Sequence, residues 1–181
     1  MTKSALLLID IQDDYLSPDL PFPFPADQVD QLLTNSTRLI DHAQTSEMEI
    51  IYIQHIFDGF LGRLTSRLFL KGHGVSSRKG IKITERLPLR SDHIFVKNKR
   101  NAFTNPALDS FLKDLGIQHL YLAGLDGIYC VNSTAKGALD QGYQITLIED
   151  AIITVSKKKW QKCCANLCQR GAKTMQAKEL I

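Results

Sequence analysis

At 181 residues, 44% of them hydrophobic, the chain has the length of one domain and enough apolar content to bury a core. Its formal net charge is only +3, and apart from Lys157, Lys158 and Lys159 its basic residues are scattered, so nothing in it points to nucleic acid. The apolar run after Lys3 ends at Asp10, too short for a membrane span and without a small-residue cleavage site, which predicts a soluble, cytoplasmic protein with no membrane partner.

Taken in chain order, strand and helix signals alternate. Ala5 to Ile11 reads as a buried strand. Ser17 to Pro25 holds four prolines with Phe22 and Phe24 between them, a stiff loop that is neither helix nor central strand and that can wall a pocket with aromatics. Asp27 to Glu47 carries Val29, Leu32, Leu33, Leu39 and Ile40 on one helical stripe, and Ile50 to His55 is the second strand. Phe57 to Arg90 is long for a crossover; a short helix is expected near Leu61 to Leu70, followed by loop. His93 to Lys97 is the third strand. Pro106 to Leu115 is a helix that Asn105 caps and Gly116 closes. His119 to Gly124 is the fourth strand, followed by a turn through Gly124 and Gly127 and a helix from Val131 to Leu139. Gln144 to Glu149 and a weaker Ala172 to Met175 complete six strands, with a helix starting at the lysine run.

This alternation predicts an α/β fold in one domain spanning residues 1–181: three layers, α-β-α, around a doubly wound, mostly parallel six-stranded sheet of order 3-2-1-4-5-6. In such a sheet ligands bind outside the carboxyl ends of the strands, where the order reverses. Asp10 ends the first strand, Lys97 ends the third, and Cys130 follows the fourth. Each has an ordinary structural reading alone: an Asp as a turn residue, a Lys as a solvated strand end, a Cys as a small buried hydrophobe. Together at one edge they supply a base, a cation and a thiol, the parts of a nucleophilic site. A helix N-terminus behind Cys130 is expected to lower its pKa. Lys99 and Arg100 compete with Lys97, Lys99 sharing its face if the strand continues. Cys163, Cys164 and Cys168 fall in one predicted helix and read as reduced, packing thiols, since no completing ligands lie nearby for a metal.

The segments Ala5 to Tyr15, Ile94 to Phe103 and Ala123 to Ala135, with Gly142-Tyr143 and Asp150-Ala151 beyond, resemble the isochorismatase-like cysteine hydrolase superfamily. The resemblance implies Asp10 as catalytic base, Lys97, six residues before Phe103, as catalytic lysine, and Cys130 as nucleophile. It further implies a cis peptide at Leu125-Asp126 that aims the Asp126 N–H toward that of Cys130 as an oxyanion hole, and a homo-oligomer. The implied activity is hydrolysis of a small amide-type C–N substrate through a Cys130 thioester, without cofactor. An Asp-x-His metal pair after the second strand is missing from Gln54-His55-Ile56-Phe57-Asp58, so no metal is expected. Phe22, Phe24, His55, Phe57, Phe103 and Tyr129 are the candidate pocket residues. The alternative is a non-catalytic or redox-responsive protein on the same fold, with Cys130 as an oxidisable thiol. A nucleotide-binding reading lacks the glycine fingerprint.

Overall fold

The computed structural model describes residues 3–181. In chain order its elements are β1 (Ser4–Ile9), α1 (Asp13–Leu16), α2 (Ala26–Thr45), β2 (Glu49–His55), α3 (Gly59–Phe69), β3 (Ile94–Lys97), α4 (Pro106–Asp114), β4 (His119–Gly124), α5 (Asn132–Asp140), β5 (Gln144–Ile152), α6 (Lys157–Gln169), β6 (Lys173–Met175) and α7 (Ala177–Leu180). The six strands form one sheet in the order β3-β2-β1-β4-β5-β6, as expected, and every neighbouring pair runs parallel. Parallel strands need crossovers, and these cover both faces with helices, so the central strands are apolar along their whole length. β1 shows this: Ala5, Leu7 and Ile9 enter one core cluster, with Leu108, Leu112 and Val131, while Leu6 and Leu8 enter the other, with Leu32, Leu39 and Ile40. The alternation is the period of two of a pleated strand, buried on both sides.

Most element ends fall within one or two residues of expectation, and three of the differences have a clear local reason. β1 stops at Ile9 rather than Ile11 because Asp10 adopts a left-handed backbone, φ +57°, which leaves the ladder. β5 continues past Glu149 to Ile152 because the register to β4 shifts beyond Leu122, letting Ile152 pair with Gly124. The helix after Cys130 begins only at Asn132, because Gly127–Val131 forms a wider π-type turn.

The long segment after β2 is more ordered than a loop. The Asp58 side chain caps α3 by accepting from the Gly59 N–H at 2.8 Å. Farther on, Gln12 and Ile83 make an antiparallel bridge, so this segment straps across the carboxyl end of β1 and β2. No helix among the described residues is long and apolar enough to cross a membrane.

Candidate active site

Four strand ends build the site. At the end of β1 the left-handed turn at Asp10 is held by its N–H donating to the Ile53 carbonyl at 2.9 Å, and its carboxylate turns into the protein, 2% exposed. At the end of β3, Lys97 lies in register with His55 of β2 and is 3% exposed. β4 ends at Gly124, φ +123°, where a Cβ would collide with the Ile9 carbonyl; only glycine lets β4 pass β1 this closely. The Leu125–Asp126 peptide that follows is cis. The Asp126 carboxylate then locks the turn, accepting from the Ile128 N–H at 2.7 Å, the Val155 N–H at 2.8 Å and the Thr154 hydroxyl at 3.0 Å. Burial nonetheless holds the Asp126 carboxyl above its usual range. Cys130 sits in the π-type turn, 8% exposed.

These stretches meet in space. Lys97 Nζ donates to Asp10 Oδ2 at 2.7 Å, with the two side chains only 1% and 3% exposed. His55 Nδ1 lies 3.8 Å from Cys130 Sγ and 3.9 Å from Asp10 Oδ2. Asp10 Oδ1 and His55 Nε2 are buried and have no hydrogen-bond partner among the described residues. Unsatisfied buried polar atoms are rare in folded proteins, and a pair of them beside a thiol marks a place built for something other than stability.

The electrostatics correct one expectation. Burial pushes the Cys130 thiol up, the Asp10 carboxylate adds to that, and Lys97 opposes it without prevailing, so the resting sulfur is a neutral thiol. The wide turn does not present the clean helix N-terminus that the sequence pattern promised, and desolvation exceeds what such a dipole supplies. Burial pulls Lys97 down, but Asp10 and Cys130 outweigh it and leave its pKa raised, so it is an ammonium. Burial and the Lys97 charge lower His55 to about 4, so its ring is neutral near pH 7.

The other candidates are spread more widely. Phe57 packs on the His55 ring at 4.6 Å between centroids, beside the thiol. Tyr129 is 40% exposed at the rim, with the Arg100 guanidinium 4.7 Å over its ring. Phe103 packs on Tyr143 at 5.6 Å, within the core cluster that includes Cys130. Phe24 packs against the opposite cluster, and Phe22 projects into solvent, 77% exposed. Lys99 and Arg100 are exposed, so of the three basic residues only Lys97 is buried with Asp10. A cleft of about 360 Å³ beside β3 reaches Lys97, Asn98 and Asp58, but neither Asp10 nor Cys130 lines it.

His55, a candidate pocket residue, lies beside both the thiol and the carboxylate. The signal for this is its offset: it ends β2 in register with Lys97, and so lies at the same sheet edge. Asp10, His55 and Cys130 offer ligand atoms within 4.8 Å of one another, a donor set suited to a zinc-like ion. The Lys97 ammonium already supplies the cation on that carboxylate, so the three donors do not need a metal for charge balance.

Comparison with known proteins identifies the family. Residues 4–179 match the family model for the isochorismatase domain. An uncharacterized isochorismatase family protein, YddQ, of Bacillus subtilis (strain 168) is 26% identical over 159 residues, covering 84% of this chain and 79% of that one. The ureidoacrylate amidohydrolase RutB of Variovorax paradoxus (strain S110) is 25% identical over 172 residues, covering 83% and 68%. An isochorismatase family protein from Desulfovibrio vulgaris has a solved structure that superposes with a TM-score of 0.86 at 20% identity, over 99% of this chain and 97% of the other. The chain belongs to the isochorismatase family of hydrolases.

Proposed function

We propose that the protein is a cysteine hydrolase that cleaves a small amide-type C–N bond through a Cys130 thioester. The observation that carries this reading is the buried Lys97–Asp10 pair at 2.7 Å beside a buried Cys130 that is in no disulfide. The resting thiol keeps its proton until a carbonyl substrate arrives. Asp10 then takes that proton as the sulfur attacks, and Lys97 stabilises the negative charge that passes between sulfur and carboxylate. The carbonyl oxygen becomes an oxyanion, which the backbone N–H groups of Asp126 and Cys130 receive, each worth about 3 kcal/mol in the transition state. Asp10 returns its proton to the leaving nitrogen, the amine departs, and the carboxylate next activates water against the thioester. Attack of that water releases the acid and restores the thiol.

The substrate is a small molecule, and RutB's action on ureidoacrylate supports an amide or ureido carbonyl. Phe57, stacked on the His55 ring, and Tyr129, next to Cys130 in the chain, are the aromatic candidates for the wall of the pocket. A sensor role for Cys130 has less support, because a thiol held neutral by burial is a poor target for oxidants. A homo-oligomer is also proposed, through α3, which exposes Phe60, Leu61, Leu64, Leu68 and Phe69 on a single short helix, the kind of exposed apolar cluster that marks interaction sites. The direct test is trapping: a substrate quenched in acid during turnover should leave an acyl mass on the Cys130 peptide, and turnover with that peptide always unmodified would refute the covalent route.

A further inference from the structure

His55 is held at its backbone by hydrogen bonds and at its ring by packing. Its own backbone is clamped from both sides by Gln12, whose Oε1 accepts from the His55 N–H at 2.7 Å while its Nε2 donates to the His55 carbonyl at 3.1 Å. The Tyr15 hydroxyl donates to the same carbonyl at 3.0 Å, and the Phe57 ring packs on the imidazole. All this holds Nδ1 at 3.8 Å from the sulfur and 3.9 Å from the Asp10 carboxylate. The sulfur and the Asp10 carboxylate both face this one ring nitrogen, so a ring proton on Nδ1 gives them a donor as negative charge moves onto the sulfur.

We propose that His55 is a fourth catalytic residue, donating a hydrogen bond from Nδ1–H to Cys130 Sγ that strengthens as the sulfur becomes negative. This rests on Cys130 being the reacting group. The thiol proton still goes to Asp10, and His55 keeps its own proton throughout, so it adds a donor without adding a charge. Lys97 serves Asp10, at 2.7 Å, as well as the sulfur, so a second donor adds to the stabilisation when the sulfur ionises. A bond to thiolate is stronger than one to thiol, so the contact favours the attacking state over the resting one, which is the requirement for catalysis. Once the thioester forms, the charge leaves the sulfur and the bond weakens again.

The test uses geometry rather than substrate. In His55→Asn the amide nitrogen can take the place of Nδ1, in His55→Gln it reaches the place of Nε2, and His55→Leu has no donor. The rate of Cys130 alkylation by iodoacetamide, followed on its peptide by mass spectrometry, should fall about 10- to 100-fold in His55→Gln and His55→Leu. His55→Asn should stay within about threefold of wild type, although it leaves the larger void, so a purely structural role predicts the opposite ranking. Equal rates in all four proteins, or His55→Asn as slow as His55→Leu, overturns the inference while leaving the hydrolase reading in place. A wild-type Cys130 that neither alkylates nor supports any hydrolysis overturns the hydrolase reading and this inference with it.

Discussion

Replacing Lys97 by Met asks what the buried ion pair contributes. The Met side chain keeps most of the lysine's apolar stem but leaves the Asp10 carboxylate, 3% exposed at its side chain, with no cation at 2.7 Å. Breaking a buried pair by removing one partner costs about 3–5 kcal/mol, because a charge is stranded away from water. For a chain of this length that is a fall in Tm of roughly 6–20 °C. The Asp10→Leu/Lys97→Met double variant, with both charges gone, should be more stable than Lys97→Met alone and should show strong coupling in a double-mutant cycle. Urea titration and thermal melts of wild type, Lys97→Met, Asp10→Leu and the double variant measure this. The sign with pH follows from the raised Lys97 pKa: the pair's contribution is complete below the lysine's unfolded pKa of about 10.4 and is lost only as pH rises through the higher folded value. The gap between wild type and Lys97→Met should therefore stay constant through the neutral range and close only in strong alkali. A single variant within about 1 kcal/mol of wild type, or a double variant worse than the sum of its parts, would refute the reasoning.

Further outcomes follow from the same geometry. His55 has its pKa lowered to about 4, so the unfolded chain takes up a proton near pH 6.5 that the native site refuses, and stability should fall between those values by up to about 3 kcal/mol; urea midpoints of wild type and His55→Asn across pH 4–7 check it, and parallel curves would oppose it. The Cys130 pKa is raised, so its contribution is present below the unfolded thiol value of about 8.5 and lost as pH rises above it. Cys130→Ala should accordingly lose less stability than wild type between pH 8 and 10, and an identical loss in both proteins would show that the thiol is not buried as described. Leu64→Asp with Leu68→Asp on exposed positions of α3 should shift the protein to monomer in light scattering, with little change in Tm, whereas an unchanged mass would remove α3 from the interface.

Much of the framework was legible in the sequence because periodicity and turn residues report backbone geometry directly. The six strands, Asn105 capping the helix before Pro106, and Asp10, Lys97 and Cys130 at or after strand ends follow from such local signals, and the strand order follows from the usual doubly wound architecture. What was not legible depends on burial and register. The helix after Cys130 suggested a lowered thiol pKa, and only the packing, 8% exposure beside a carboxylate, shows why it is raised instead. His55 reads as a strand-end pocket or packing residue, because nothing in its own segment shows that β2 brings it as close as 3.8 Å to the sulfur. Phe22 and Phe24 sit two apart in one loop, yet one packs on the core and the other faces water, a difference that the proline pattern does not encode.

The central claim is that Cys130 performs the chemistry, and the most direct measurement is ammonia or amine release from a panel of small amides, ureido acids and carbamoyl compounds by wild type and Cys130→Ala. The account predicts release by wild type from at least one of them and none above buffer from the variant. Release at equal rates by the two proteins would contradict it.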